Sequence, residues 1–562
     1  MPLIDTAGLL FRWSYHLVNA LCRQGVQQAF ISPGSRSTPL VLALVHHPDI
    51  QCHAVLDERS AAYMALGAGK TAKVPALFAC TSGTAVANAF PAVVEARMSS
   101  VPMIVLSADR PPHMRAIGAS QTIDQIKIFG DYPVFFFDTG EALENEEDFR
   151  RLERLGMQAV DFSTTKGGPV HINLPFRKPL EPSDEQIMRC VRAYSSKPAD
   201  ASISGTVKEP SRPLPGEFLQ MLASARRPLV VAGPDTPDLP AFYTWCRYGR
   251  IPVLCETGGF PHGITKHPLI LSHTDAIEFM APDLILRTGG DPVHHPTISA
   301  LKQWSVPQFV FKGHPDHPDA SLSVTHRISG LLSQYNWKRN LPDPEPVTEY
   351  EALWASQSVQ AEGEQRKKLD HQKRFTDAHV YDRLLPLVLN QPDTRIVLSN
   401  SFPIRDYLLF GPEQAVTKLQ AIVNRGASGI DGVTSTAIGA ALASGKPTVL
   451  FTGDLAFLHD VTALNNLMSR NIRLKIVVVN NRGGTIFRML PFENKDEQYI
   501  RFFETPQQVN IPEIARAHDV PFEHADTPDR LNESWEKLGP RHTGILECRT
   551  DAEASMKLRS TL

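Results

Sequence analysis

Two apolar runs, each ending in a polar tip, do most to limit the folds open to this chain. Thr448-Val449-Leu450-Phe451 leads into Gly453-Asp454-Leu455, and Ile476-Val477-Val478-Val479 leads into Asn480-Asn481-Arg482-Gly483-Gly484. Asp454 and Asn481 stand 27 positions apart (481 − 454), and Asp460 to Arg470 between them reads as one short helix. A strand–helix–strand unit of this length makes a right-handed crossover between parallel strands. Both polar tips then emerge at the carboxyl ends of strands, where open α/β sheets bind ligands. A carboxylate, a side-chain amide and a glycine-freed backbone carbonyl are hard oxygen donors suited to Mg²⁺ carrying phosphates. The same residues are also ordinary turn formers, and either half alone reads that way.

At 562 residues the chain is too long for one core and should divide into about three domains. Its 42% hydrophobic and 21% charged residues describe a globular protein. A net charge of −3 argues against a nucleic-acid binder. No apolar run approaches a membrane span, and Met1 to Phe11 lacks the layout of a secretory signal. Seven scattered cysteines without a Cys-x-x-Cys pair suit buried, reduced thiols in a cytoplasm.

Apolar runs alternate with helical stretches from about Thr6 to Leu180, as in Ala29-Phe30-Ile31, Ala76 to Ala79, Met103 to Leu106 and Val170-His171-Ile172. Such alternation indicates βαβ units and a parallel sheet. Ser195 to Gly216 has linker composition. A second α/β segment runs from Arg227 to Phe311, and a Pro- and charge-rich stretch, Pro342 to Arg374, follows; Ala361 to Arg374 within it looks like a solvated helix. The last segment, about Ala378 to Leu562, carries the Asp454 and Asn481 tips. The expected domains are 1–190, 215–335 and 375–562.

Several further polar tips follow strands in the first segment. Glu58 lies at the start of a helix expected from about Ser60 to Lys73, where a carboxylate complements the helix dipole for under about 1 kcal/mol. Ser32-Pro33-Gly34-Ser35-Arg36-Ser37 offers backbone N–H groups to an anion, and Arg36 adds a fork suited to carboxylate. A serine N-cap with a solvent-facing arginine is the plainer reading. Thr81-Ser82-Gly83-Thr84-Ala85 makes a similar turn, and Asp109-Arg110-Pro111-Pro112 follows another strand, with Gln121 beyond it. Tips at successive strand ends converge on one edge of a sheet.

Taken in order with Asp57-Glu58-Arg59, Thr81 to Asn88, Asn424-Arg425-Gly426-Ala427-Ser428-Gly429-Ile430-Asp431-Gly432 and Gly453-Asp454-Leu455, these motifs resemble one family. It is the 2-succinyl-5-enolpyruvyl-6-hydroxy-3-cyclohexene-1-carboxylate synthase family of menaquinone biosynthesis, within the thiamine-diphosphate enzymes. Its Gly-Asp-Leu matches this chain where the generic thiamine motif reads Gly-Asp-Gly. The resemblance implies three doubly wound parallel-sheet α/β domains: pyrimidine-binding, middle, and diphosphate- and Mg²⁺-binding. It implies thiamine diphosphate and Mg²⁺ (Mn²⁺ as an alternative) held by Asp454, Asn481 and Gly483, and Glu58 hydrogen-bonding the pyrimidine as the proton-relay carboxylate, with burial raising its pKa. Ile430 would wedge between the cofactor's rings, with Ile486 and Phe487 as an apolar wall. Ser401 and Arg405 would bind 2-oxoglutarate, Arg425 would line the shared pocket, and Ser35, Arg36, Arg110 and Gln121 would face the second substrate, isochorismate. The implied reaction is decarboxylation of 2-oxoglutarate and 1,4-addition of the resulting succinyl carbanion to isochorismate, in a homodimer or dimer of dimers with its sites at subunit interfaces.

Read as residues alone, any one of these arginines also fits a surface ion pair worth under about 1 kcal/mol, and Ile430 also fits a core position. The family carries basic residues in the middle domain where this chain has Gly290-Asp291-Pro292-Val293-His294-His295-Pro296, so the histidines stand as partly charged substitutes or as structural residues. An acetolactate-synthase-like carboligase or a 2-oxo-acid decarboxylase is the nearest rival, disfavoured by the arginine set. A cofactor-bound sensor is a more distant one, disfavoured by Glu58.

Overall fold

The computed structural model describes residues 5–195, 212–236, 239–257, 265–272, 274–312, 319–330, 332–339, 346–391, 393–468, 472–492, 496–539 and 543–561. They form three six-stranded sheets, and every strand pair is parallel. The first contains β1 (Gln28–Ser32), β2 (Gln51–Ala54), β3 (Ala76–Cys80), β4 (Met103–Asp109), β5 (Phe135–Asp138) and β6 (Pro169–Pro175), in the order β2-β1-β3-β4-β6-β5. The second contains β7 (Pro228–Ala232), β8 (Val253–Cys255), β9 (Thr265–Lys266), β10 (Leu284–Thr288), β11 (Gln308–Lys312) and β12 (His326–Ser329), ordered β12-β11-β10-β7-β8-β9. The third contains β13 (Arg395–Leu398), β14 (Ala421–Val423), β15 (Thr448–Gly453), β16 (Leu474–Asn480), β17 (Phe522–Ala525) and β18 (Gly544–Arg549), ordered β14-β13-β15-β16-β18-β17. Helices follow most of the strands, so central strands are covered on both faces and read as unbroken apolar runs; every residue of β3, β4 and β6 is buried.

The chain forms two compact units. One holds residues 1–208, 426–445 and 460–466; the other holds 209–425, 446–459 and 467–562. The first sheet belongs to the former, the second and third to the latter.

Strand order fixes where a ligand can enter, because an open α/β sheet opens a crevice where successive connections leave in opposite directions. In the first sheet that point lies between β1 and β3, and in the third between β13 and β15. In the second it lies between β7 and β10, and there backbone fills the space. A Cβ on Gly233 would sit 2.0 Å from the Gly290 carbonyl oxygen, and Gly290 N donates to Pro234 O at 2.6 Å.

Some details depart from sequence expectation. The helix after β15 is Asp454–His459, and Val461–Asn466 is a separate 3₁₀ segment, in place of one helix over Asp460–Arg470; residues 469–471 lie outside the described set. The break falls at Asp460, whose buried carboxylate accepts from Ser435 N at 2.7 Å and Ser435 Oγ at 3.0 Å. The Glu58 helix spans Glu58–Ala72, with Asp57 as its N-cap and Lys73 left-handed beyond its end. Helix Glu349–Asp370 begins earlier than the solvated helix expected from Ala361, and buries Tyr350, Trp354, Ser358, Ala361, Gln365 and Leu369. Residues 196–211, most of the expected linker, lie outside the described set. All seven cysteines are free thiols; five are buried, whereas Cys22 and Cys52 are half-buried. Among the described residues no helix is long and apolar enough to cross a membrane.

Candidate active site

Four adjacent parallel strands of the third sheet deliver polar residues to one edge. Asn424 and Arg425 follow β14, Asn400 and Ser401 follow β13, Asp454 follows β15, and Asn481 and Gly483 follow β16. The loops are tied together: Asn400 Nδ2 donates to Asn424 O at 2.7 Å, and Arg425 Nη1 to Asn400 Oδ1 at 3.1 Å. Ser401 caps helix Phe402–Phe410 with φ of 72°, a left-handed conformation that costs a non-glycine residue energy. Arg405 lies within that helix, and its Nη1 donates back to Ser401 O at 2.6 Å. Burial lowers the Arg405 pKa, and the neighbouring Arg425 charge lowers it further. The two like charges repel, and an anion between them would relieve that.

Asp454 is 6% exposed and opens its helix, with Oδ1 accepting from Leu455 N at 2.9 Å. Burial pushes its pKa up to about 6 against the pull of backbone N–H donors from Leu455 and Gly483. Asn481 is also buried, and its Nδ2 donates to Asp377 Oδ2 at 3.0 Å. Because an ionised carboxylate only accepts, that contact assigns the other end of the amide as oxygen. Gly483 has φ of 127°, and a Cβ there would lie 2.4 Å from Glu504 O, so only glycine fits this turn. Beside them, the buried Thr485 Oγ1 has no hydrogen-bond partner among the described residues. A buried carboxylate, a fixed amide oxygen and an unsatisfied hydroxyl at one strand edge fit a divalent ion with a diphosphate.

The segment after Gly484 is apolar. Ile486 is half-buried and Phe487 is 40% exposed, within the 3₁₀ helix Thr485–Met489. Phe487 packs edge-on against Phe503, which stacks on Tyr499. Arg488 forks onto Glu504 at 2.7 and 2.8 Å and pins this wall.

The other unit holds both Glu58 and Ile430. Glu58 is the first residue of its helix; its Oε2 accepts from Asn88 Nδ2 at 3.3 Å. The carboxylate is half-buried in the single chain, so the full burial expected from sequence is not what this chain alone provides. The half-buried Ile430 lies in a loop held at both ends. Glu95 accepts from Gly426 N at 3.0 Å and Ala427 N at 2.7 Å, and Tyr63 Oη donates to Asp431 Oδ2 at 2.6 Å.

Around the β1/β3 crevice of that unit lies a second arginine pair. Arg36 is 3% exposed, and its Nη1 donates to Phe176 O at 2.6 Å. Its pKa is lowered by burial and then by the neighbouring Arg110. Among the described residues neither Arg36 Nε nor Arg110 Nε has a hydrogen-bond partner. Gly34 lies against the side chain of Thr81, whose buried Oγ1 likewise has no hydrogen-bond partner among the described residues. Ser35 is exposed, and Gln121 joins the same edge through Nε2 to Ser82 O at 2.9 Å.

The middle-sheet histidines are not charged substitutes as a pair. His294 is buried, bonded to Ser272 Oγ at 3.2 Å and Thr297 Oγ1 at 3.0 Å, and burial pushes its pKa down to about 3, so it is neutral. His295 is exposed. Sequence reading did not single out Asp377, which holds Asn481, or Glu95, which holds the Ile430 loop; each acts across more than a hundred residues of chain and leaves no local signature.

Residues 12–128 match the family model of the thiamine pyrophosphate enzyme N-terminal TPP binding domain, and residues 414–545 that of the C-terminal TPP binding domain. The chain is similar to the 2-succinyl-5-enolpyruvyl-6-hydroxy-3-cyclohexene-1-carboxylate synthase of Microcystis aeruginosa, with 34% identity over 92% of each chain. It is 33% identical to the enzyme of that name from Geobacillus kaustophilus, over 99% of this chain and 98% of that one. Likeness to the Halobacterium salinarum enzyme is also 33%, over 98% and 97%. With matching TPP domains at both ends and relatives aligned along nearly its whole length, the chain belongs to the 2-succinyl-5-enolpyruvyl-6-hydroxy-3-cyclohexene-1-carboxylate synthase family of thiamine pyrophosphate enzymes.

Proposed function

We propose that the chain decarboxylates 2-oxoglutarate with thiamine diphosphate and adds the succinyl unit in 1,4 fashion to isochorismate. The products are 2-succinyl-5-enolpyruvyl-6-hydroxy-3-cyclohexene-1-carboxylate and CO₂. The observation that carries the substrate choice is the Arg405–Arg425 pair on the sheet edge that also bears Asp454 and Asn481. A second carboxylate on the substrate gives this cationic pair an anion to bond, and a pyruvate-type acid lacks that group. Arg36 and Arg110 supply the same chemistry for the second dicarboxylate.

In this reading Asp454, Asn481 and the Gly483 carbonyl hold Mg²⁺, or Mn²⁺ in its place, and through it the diphosphate. Bound, the cofactor supplies an acidic carbon and an electron sink for the carboxylate that leaves. Glu58 holds the proton exchanged with the pyrimidine, and Asn88 orients its carboxylate. Ile430 sets the bend of the cofactor, and Ile486 and Phe487 exclude water from the reacting carbon. Ser401 and Arg405 orient 2-oxoglutarate, Arg425 lines the pocket common to both substrates, and Ser35, Arg36, Arg110 and Gln121 orient isochorismate.

The active species in this reading is a cytoplasmic homodimer or dimer of dimers with interfacial sites. Its chains divide into a pyrimidine-binding domain (1–190), a middle domain (215–335) and a diphosphate-binding domain (375–562). Purified protein given thiamine diphosphate, Mg²⁺, 2-oxoglutarate and isochorismate should consume isochorismate and yield the product mass, with each omission abolishing it. Turnover of pyruvate alone, with none of 2-oxoglutarate, would reject this assignment in favour of an acetolactate-synthase-like enzyme.

A further inference from the structure

A buried ionic chain links the residue proposed to bind the metal to the helix proposed to bind 2-oxoglutarate. Asp377 begins helix Asp377–Leu389, and its side chain is 1% exposed. It accepts from Asn481 Nδ2, from Thr550 Oγ1 and from Arg559 Nη2. Arg559 also forks onto Asp406, with Nε to Oδ1 at 2.7 Å and Nη2 to Oδ2. Its guanidinium carbon lies 3.6 Å above the ring of Phe402. Phe402 and Asp406 belong to the helix Phe402–Phe410 that Ser401 caps and Arg405 occupies. One planar cation thus holds the carboxylate that orients Asn481 and grips two residues of the Ser401–Arg405 helix.

We propose that Asp377, Arg559 and Asp406 are positioning residues: Asp377 presents the Asn481 amide oxygen to the divalent ion, and Arg559 locks that arrangement to the 2-oxoglutarate helix. A carboxylate that bonds the far atom of a metal ligand fixes the ligand's orientation, and its loss commonly costs 10–100-fold in metal affinity. Only an arginine fork can serve two carboxylates and a ring face at once; lysine keeps the charge without the plane. The inference rests on the metal and substrate roles proposed above.

The test measures Mg²⁺ affinity by calorimetry on the full-length protein saturated with thiamine diphosphate, and the KM for 2-oxoglutarate at saturating Mg²⁺. Asp377→Asn should weaken Mg²⁺ binding at least tenfold and move the KM little. Asp406→Asn should raise the KM about tenfold with a smaller effect on Mg²⁺, and Arg559→Lys should move both. Removing one member of a buried ion network can prevent folding, so Thr550→Val and Thr550→Ser form a milder pair. The valine should weaken Mg²⁺ binding severalfold, and the serine, which restores the hydroxyl, should return it. Folded variants that melt earlier yet keep wild-type Mg²⁺ affinity and KM, or equal Mg²⁺ affinity in the two Thr550 variants, would overturn the proposal. Asp454→Ala separates the two levels: Mg²⁺ binding retained there removes the metal reading itself, whereas its loss beside unchanged Asp377→Asn and Thr550 variants removes only the positioning role.

Discussion

Replacing Gly67 by alanine tests whether the Glu58 helix is placed by backbone contact. Helix Glu58–Ala72 meets helix Val433–Ser444 at two glycines. A Cβ on Gly67 would lie 2.1 Å from Thr436 O, and one on Gly439 would lie 2.0 Å from Met64 O. Both obstacles are backbone atoms, which cannot rotate aside. Restoring a 3.4 Å contact at Gly67 requires the helices to part by 1.3 Å (3.4 − 2.1). Overpacking of this kind costs about 1–3 kcal/mol, against a gain of up to about 1 kcal/mol from helix propensity. The function should suffer more than the stability. Glu58 is the first residue of the displaced helix, and a misplacement of about 1 Å at a reacting group can cost about 100-fold. Gly363, in the exposed face of helix Glu349–Asp370, has nothing within 4 Å of its Cβ position. The same substitution there should stabilise by up to about 1 kcal/mol and leave catalysis alone. The assays are denaturant unfolding and the rate of proton exchange at the cofactor's reactive carbon, read by NMR after acid quench. Wild-type exchange and an unshifted unfolding midpoint for Gly67→Ala would refute the close-contact argument.

Glu58→Gln should leave thiamine diphosphate bound while slowing that proton exchange by about 10²–10⁴-fold, the usual share of a positioned acid or base; exchange at the native rate would remove Glu58 from the relay. Arg405→Ala should raise the KM for 2-oxoglutarate by about 10–100-fold, the worth of a charge-assisted hydrogen bond at 1.5–3 kcal/mol, with cofactor affinity steady; an unchanged KM would free Arg405 from the substrate. Burial pushes the Asp460 pKa from 3.8 up to about 7, so between those pH values the folded chain keeps a proton that the unfolded chain sheds. Its contribution to stability is complete below the lower value and is lost as pH rises through about 7. Asp460→Asn should therefore flatten the fall in melting temperature over that window, and parallel pH profiles for variant and parent would contradict the assignment.

The strands of the site were legible because buried parallel strands are unbroken apolar runs. The tips were legible because glycine, asparagine and aspartate concentrate where such runs end: Thr448 to Phe451 and Ile476 to Val479 lie within β15 and β16, and their tips share one edge. What could not be read is whatever the chain assembles across long separations. Asp377 and Arg559 meet 182 positions apart, and neither sits in a motif. Gly67 and Gly439 look like ordinary helical glycines until their cross-helix neighbours are known. The Asp460 break escaped a helical reading because the residue that stops the pattern is held by Ser435, on another segment. His294 shows the same limit for electrostatics, since its neutral state follows from burial and then from the neighbouring His267 and His295, not from its basic type.

The division has a physical cause. A strand-end loop is specified by the chemistry of its own few residues, so motif and site coincide. The orientation of a ligand atom is specified by whatever packs behind it, and that support is drawn from helices far along the chain. Motif identity therefore says which reaction class the sheet edge can serve. How firmly Asn481 and Ser401 are held for it depends on residues such as Asp377 and Arg559, and variants at those positions should alter affinities before they alter the reaction catalysed.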